Sequence, residues 1–133
     1  MRDVFDTGVL VQSVISRTSY SALALEAAAG DDTILFSTAT VAEAAEVLSR
    51  VKFDRYAPLT IRRAFFERLL ANGERVEITV SLKVCRDPKD DMFLDLAVSG
   101  HADCIVSTDQ DLLVLDPFQG IRIVTPEVFL EMP

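Results

Sequence analysis

Histidine, cysteine and long apolar runs are scarce in this chain, and each scarcity closes off a class of function. There is one histidine, His101, and there are two cysteines, Cys85 and Cys104, in 133 residues. The cysteines form no C-x-x-C pair, so reduced thiols in a cytosolic protein are the simplest expectation. Cys85, His101 and Cys104 lack the number and spacing of ligands that a structural zinc site needs. No apolar run approaches the roughly 20 residues that span a bilayer. The first residues carry an acid, Asp3, and no basic region ahead of a long apolar stretch, so no signal peptide is read. Repeats, low-complexity tracts and linkers are missing too, which makes residues 1–133 one expected domain. Positive charge is in deficit: 13 Lys and Arg stand against 21 Asp and Glu, for a net charge of −8. That argues against a generally basic nucleic-acid-binding surface.

What is there begins with apolar content. Half the residues are hydrophobic, enough for a real core and too many for a disordered chain. The stretch Val4-Phe5-Asp6-Thr7-Gly8-Val9-Leu10-Val11 organises the rest. Val4 and Phe5 read as a buried strand, Asp6 closes it, Thr7 and Gly8 turn the chain, and a helix follows over 9–15. A carboxylate ending a buried strand needs a partner: a metal, a base or a hydrogen-bond donor. A plain helix cap is the alternative for Asp6.

Periodicity places the other elements. Helices are expected over 21–29 with Gly30 as the stop, over 38–51, over 60–71 with Ile61, Phe65, Phe66 and Leu69 inward, and from Asp87-Pro88 to Val98. Short helices follow at 110–114 and 126–130. Strands are expected at 4–6, 33–36, 76–80, 103–107 and 121–124. Strands alternating with helices imply βαβ units: an α/β three-layer sandwich around a mostly parallel five-stranded sheet. Sites in such sheets lie beyond the strands' carboxyl ends. Asp6 follows the first strand and Asp109 the fourth, so the two acids can meet there.

The helix after Asp87 adds a third acid. Phe93, Leu94 and Ala97 lie three, four and seven residues beyond Asp90, which puts Asp90 in the middle of the apolar arc and Asp91 and Asp95 towards the polar side. First-turn acids favour the helix dipole, but that does not call for an inward one. A cation ligand does. Glu43 has two readings: the capping box Thr40-x-x-Glu43, or, if Ser37 is the cap, a second-turn acid able to reach the cleft. Arg50, Lys52, Arg55, Arg62 and Arg63 fall within fourteen residues, either as a solvated helix face or as a phosphate-tracking rim beside an acidic centre.

Together, the opening stretch, Glu43-Ala44-Ala45-Glu46-Val47-Leu48-Ser49-Arg50 with Lys52-Phe53, Cys85-Arg86-Asp87-Pro88-Lys89-Asp90-Asp91, and Ile105-Val106-Ser107-Thr108-Asp109-Gln110-Asp111-Leu112-Leu113 resemble the PIN-domain nucleases. The likeness is to the VapC-like branch that supplies toxins of bacterial toxin–antitoxin pairs, and it runs over nearly the whole chain. It implies the strand order 3-2-1-4-5, one or two Mg²⁺ or Mn²⁺ ions, and RNA cleavage in the cytoplasm. It further implies an antitoxin partner and allows a homodimer. By the same likeness the acids of the site are Asp6, Glu43, Asp90 and Asp109, with Asp111 accessory. Asp6, Asp90 and Asp109 would be the metal ligands, and Glu43 a ligand or the group that orients water. The hydroxyls of Thr7, Ser37 and Thr108 would support them. Gly8 and Thr108 depart from the family's usual Asn and Gly, and Gly8 gives up a possible hydrogen bond. Two other functions fit parts of the sequence. Phe5-Asp6-Thr7-Gly8 matches the signature of a dimeric aspartic protease, and an acidic cleft can serve a non-catalytic binding module.

Overall fold

A computed structural model describes residues 1–133. In chain order its elements are β1 (Arg2–Phe5), α1 (Thr7–Ile15), α2 (Tyr20–Asp31), β2 (Thr33–Phe36), α3 (Thr38–Leu48), α4 (Leu59–Asn72), β3 (Glu74–Arg75), α5 (Asp91–Ser99), β4 (Cys104–Val106), α6 (Gln110–Leu113), β5 (Arg122–Val124) and α7 (Pro126–Glu131). Single 3-10 turns occupy Val51–Phe53 and Pro88–Asp90. The sheet order is β3-β2-β1-β4-β5, and every pairing is parallel. This is the α/β sandwich expected from the alternation of elements. It excludes the aspartic-protease reading of Phe5-Asp6-Thr7-Gly8, which needs an all-β fold.

The period of two along each strand separates the core into two layers. Phe5, Ile34, Phe36, Cys104, Val106 and Val124 point to one face, where α1, α2, α3, α4 and α7 cover them. Val4, Leu35, Ile105 and Ile123 point to the other, under α5 and α6. Covered on both sides, the central strands carry apolar residues pointing to both faces, as buried parallel strands do.

Several local expectations are corrected. Helix α2 runs through Gly30 and closes at Asp32, whose N–H bonds Ala28 O at 2.7 Å. Helix α3 stops at Leu48 rather than Val51. On α4 the inward stripe is Arg62, Phe66 and Leu69. Ile61 is half exposed and lines a groove beside Leu25 and Phe65. Phe66 and Leu69 are buried as expected and Phe65 packs against the core, but Arg62 takes the inward place expected of Ile61.

The third strand is the largest difference. Only Glu74–Arg75 pairs, with Leu35 and Phe36, because Ser37 already caps α3 and β2 has no further edge to offer. Residues 76–84 form no ladder. Side chains of α5 hold them instead: Ser99 Oγ takes Thr79 N–H at 2.9 Å, Asp95 Oδ1 takes Leu82 N–H at 2.8 Å, and Asp91 Oδ1 takes Val84 and Cys85 N–H at 3.1 and 2.9 Å. Asp91, expected towards the polar side, is therefore buried. No helix is long and apolar enough to cross a membrane.

Candidate active site

Four chain segments deliver acids to the carboxyl edge of the sheet. Asp6 ends β1 and is 4% exposed. Both readings of it hold at once. Its Oδ1 caps α1 by accepting Val9 N–H at 2.9 Å, and its Oδ2 accepts the Ser107 hydroxyl. Burial raises its pKa to about 6. Bonds from Ser107 and Val9 oppose that rise and the Asp109 charge adds to it. Asp109 caps α6, its Oδ1 accepting Asp111 N–H at 2.9 Å.

Asp90 closes the 3-10 turn that leads into α5 and makes no capping bond with its side chain. Its Oδ2 is buried and has no hydrogen-bond partner. Burial, then the neighbouring Asp109 carboxyl, then the Asp87 and Asp111 charges push its pKa to about 7. Carboxylate oxygens of Asp90, Asp109 and Asp111 lie within 4.8 Å of one another, so Asp111 is a member of the cluster. Asp6 and Glu43 lie outside that triad. Glu43 is in the second turn of α3, because Ser37 is the cap and Thr40 completes the capping box. Its Oε2 accepts the Thr7 hydroxyl, which ties α3 to the residue next to Asp6.

The hydroxyl candidates divide. Thr7 holds Glu43. Ser37 is buried and its hydroxyl bonds only with Thr40. Thr108 is exposed, with its Oγ1 3.7 Å from where a Cβ on Gly8 would sit; Asp6 Oδ1 is 3.6 Å from the same point. Ser107 was not among the sequence candidates, yet its Oγ donates to Asp6 and accepts Asp109 N–H at 2.9 Å. It joins the acids of β1 and β4. No local pattern signalled it, because its partner Asp6 lies 101 positions away. Arg86, also not anticipated, pairs with Asp111 at 2.9 Å from an exposed position.

The basic cluster loses one member. Arg62 is 1% exposed. Its guanidinium donates to Leu48 O at 2.7 Å, to Arg50 O at 3.2 Å, to Ala57 O and to Asp54 Oδ1 at 2.9 Å. With its donors spent on the 48–57 loop, it cannot serve as a phosphate contact, correcting the rim reading. Arg50, Lys52, Arg55 and Arg63 are exposed. Arg50 pairs with Glu46 at 2.8 Å, Lys52 lies over the Phe53 ring, and Arg55 over the Tyr56 ring. The Cys85 thiol is pushed up to about 12 by burial and by Asp91, which disfavours the nucleophilic thiolate at neutral pH.

The triad fits a hard divalent cation. All its donors are oxygens, histidine is absent, and one buried oxygen lacks a partner. That donor set suits Mg²⁺ or Mn²⁺ and is poor for zinc.

No curated protein matches the chain. Two solved structures share its fold. One is a chain of VapBC2 from Rickettsia felis bound to a DNA fragment from its promoter: TM-score 0.62, 14% identity, covering 92% of this chain and 97% of that one. The other is PAE2754 from Pyrobaculum aerophilum: TM-score 0.59, 16% identity, covering 98% and 88%. Identities this low establish the shared fold alone. The family model described as PIN domain matches residues 2–111, a span that includes all four acids expected from the sequence and Asp111. On that match, the chain belongs to the PIN domain family.

Proposed function

We propose that this chain is a metal-dependent ribonuclease and the toxin of a VapC-like toxin–antitoxin pair, acting on RNA in the cytoplasm. The observation that carries the reading is Asp90 Oδ2, buried and unpartnered beside Asp109 and Asp111. Like charges gathered around an orphaned oxygen are costly without a cation to share.

Asp90, Asp109 and Asp111 would hold Mg²⁺ or Mn²⁺, with Asp6 ligating directly or through water. Bound there, the cation would supply charge against the phosphodiester oxygens and a lowered pKa for water. The protein's own groups do the positioning. Ser107 fixes Asp6 and the backbone of Asp109 in one hydrogen-bonded unit. Glu43, steadied by Thr7, accepts a proton from the attacking water or orients it. Arg50, Lys52, Arg55 and Arg63 supply phosphate contacts along a single strand, with the exposed Tyr56 ring among them as a surface for base stacking. Arg86 has Asp111 as its only ion-pair partner and is free to turn to a phosphate when a cation takes that carboxylate. The partner is an antitoxin, as in the VapBC family whose fold the chain shares.

The test is cleavage of single-stranded RNA and of DNA by the purified chain, with Mg²⁺, Mn²⁺ or chelator, beside Asp6→Asn. RNA cleavage that needs the metal and is lost in Asp6→Asn is expected. Cleavage that survives chelation refutes the metal. A chain that neither cleaves RNA nor shifts its melting temperature with Mn²⁺ is a binding module with an acidic cleft.

A further inference from the structure

The acids around Asp90 have one cation among them, and its geometry is specific. Arg86 donates from Nε to Asp111 Oδ1 at 2.9 Å and from its guanidinium to Asp111 Oδ2 at 3.3 Å. Both oxygens of a cluster carboxylate are thus taken by one planar fork, the geometry in which arginine binds acids most specifically. Asp87, Asp90 and Asp109 pair with no Lys, Arg or amino group. The charges of Asp109 and Asp87 act on the Arg86 guanidinium as well. The stem of Arg86 is held on both sides. Before it, Cys85 N–H donates to Asp91 Oδ1 at 2.9 Å. After it, Asp87 Oδ1 accepts Lys89 N–H at 3.0 Å and caps the Pro88–Asp90 turn. The side chain beyond that stem is 86% exposed, while Asp111 is 20% exposed. A fixed stem therefore carries a charged head that solvent leaves free to move.

A divalent cation shared by Asp90, Asp109 and Asp111 needs an Asp111 oxygen that Arg86 already holds. Two positive groups on one carboxylate repel each other at close range. We propose that Arg86 regulates metal loading: it is the counter-charge of the metal-free cluster, and a divalent cation has to displace it from Asp111. The proposal rests on the metal-dependent reading given above and adds to it a competitor built into the chain. An exposed ion pair is weak, so Arg86 biases loading by a few fold and does not lock the site. Once displaced, the guanidinium stays beside the cluster, because its stem is fixed. A phosphate of single-stranded RNA can then take the fork that Asp111 gave up. Holding Arg86 away from Asp111 favours the cation, and by reciprocity the cation favours the RNA. Metal occupancy then follows the arrival of substrate.

Calorimetric titration of Mn²⁺ into the full chain tests it, with wild type, Arg86→Ala and Lys89→Ala side by side. Lys89 is the control for charge: it is exposed and adjoins Asp90, yet it forms no ion pair. Arg86→Ala is expected to keep the wild-type circular dichroism spectrum and to bind Mn²⁺ about threefold to fivefold more tightly. Lys89→Ala removes the same charge without freeing Asp111 and should tighten binding less than about twofold. At saturating Mn²⁺, Arg86→Ala should nevertheless cleave RNA at least about tenfold more slowly, having lost its phosphate contact. Tighter metal with slower cleavage is a combination that a merely structural arginine does not produce. An Arg86→Ala that binds Mn²⁺ no more tightly than wild type, or no more tightly than Lys89→Ala, overturns the competition and leaves the nuclease reading standing. Tighter binding with cleavage at the wild-type rate overturns the transfer of Arg86 to phosphate. Mn²⁺ binding by none of the three proteins refutes the metal reading itself, and the proposal with it.

Discussion

Replacing Asp90 by asparagine should make the metal-free protein more stable, although the change falls in the candidate metal cluster. Asp90 moves from an ordinary carboxyl value of 3.8 to about 7, first through burial and then through Asp109. Its folded form therefore holds a proton that the unfolded chain has released. Stability falls as pH rises wherever the folded state binds more protons. The loss begins near pH 4 and is complete above about pH 7. At ~1.4 kcal/mol per pH unit the span corresponds to ~4 kcal/mol. Asp90 is only half-buried, and solvent screening brings the expected effect to about 1–2 kcal/mol. Asparagine has nearly the same volume, carries no charge and forfeits no capping bond. Asp3 and Asp6, also raised by burial, to about 8 and about 6, titrate in both proteins and largely cancel in the difference. In chelator at pH 8 the variant should melt about 3–8 °C above wild type, and the gap should close by pH 4. Saturating Mn²⁺ should reverse the order, since a cation at a hundred times its dissociation constant stabilises by about 2.7 kcal/mol and the variant has lost a ligand. The assay is thermal melting of both proteins across pH, with chelator and with Mn²⁺. A variant that melts well below wild type in chelator at every pH and keeps the whole metal shift makes Asp90 a structural residue and refutes the reasoning.

Ser107→Ala removes a hydroxyl that restrains the rise in the Asp6 pKa. The acid limb of a pH–rate profile should therefore move to higher pH, and the protein should lose about 1–3 kcal/mol in urea denaturation. Arg62→Ala should cost about 2–4 kcal/mol by emptying a buried site and leaving the Leu48 and Ala57 carbonyls, at buried positions, without their donor. The adjacent Arg63→Ala should leave stability within about 0.5 kcal/mol and flatten the salt dependence of RNA binding by about one phosphate contact, as read by titration at several salt concentrations. Gly8→Asn fits without a clash, since its Cβ meets Asp6 Oδ1 and Thr108 Oγ1 at ordinary contact distances. It should tighten Mn²⁺ binding about tenfold in calorimetry, by adding an amide beside the ligands.

The sheet was legible because its strands are short and apolar on both faces, and turns separate them cleanly. The failures share a physical cause: a neighbour the sequence does not announce. Alternation over 76–80 describes a strand, but whether a strand pairs depends on a free edge, and Ser37 had already turned β2 into α3. Ile61 was expected inward on α4 and Arg62 was not, because a buried arginine looks polar until the 48–57 loop supplies carbonyls for it. Asp6 and Asp90 could be found from local pattern. Ser107 could not, since its importance lies in a hydrogen bond to a residue 101 positions away.

That same separation bears on when the candidate site can assemble during synthesis. β4 lies in the middle of the sheet, between β1 and β5, and is among the last strands to be made. Until it emerges, β1 has no neighbour on that side, Asp6 has no Ser107, and Asp109 and Asp111 do not yet exist. Bringing such distant segments together is a slow, late step in folding. A growing chain still attached to the ribosome thus carries the first acids of its active centre but not the means to assemble them. If the protein is the toxin proposed above, an unfinished copy is harmless to the cell that is making it.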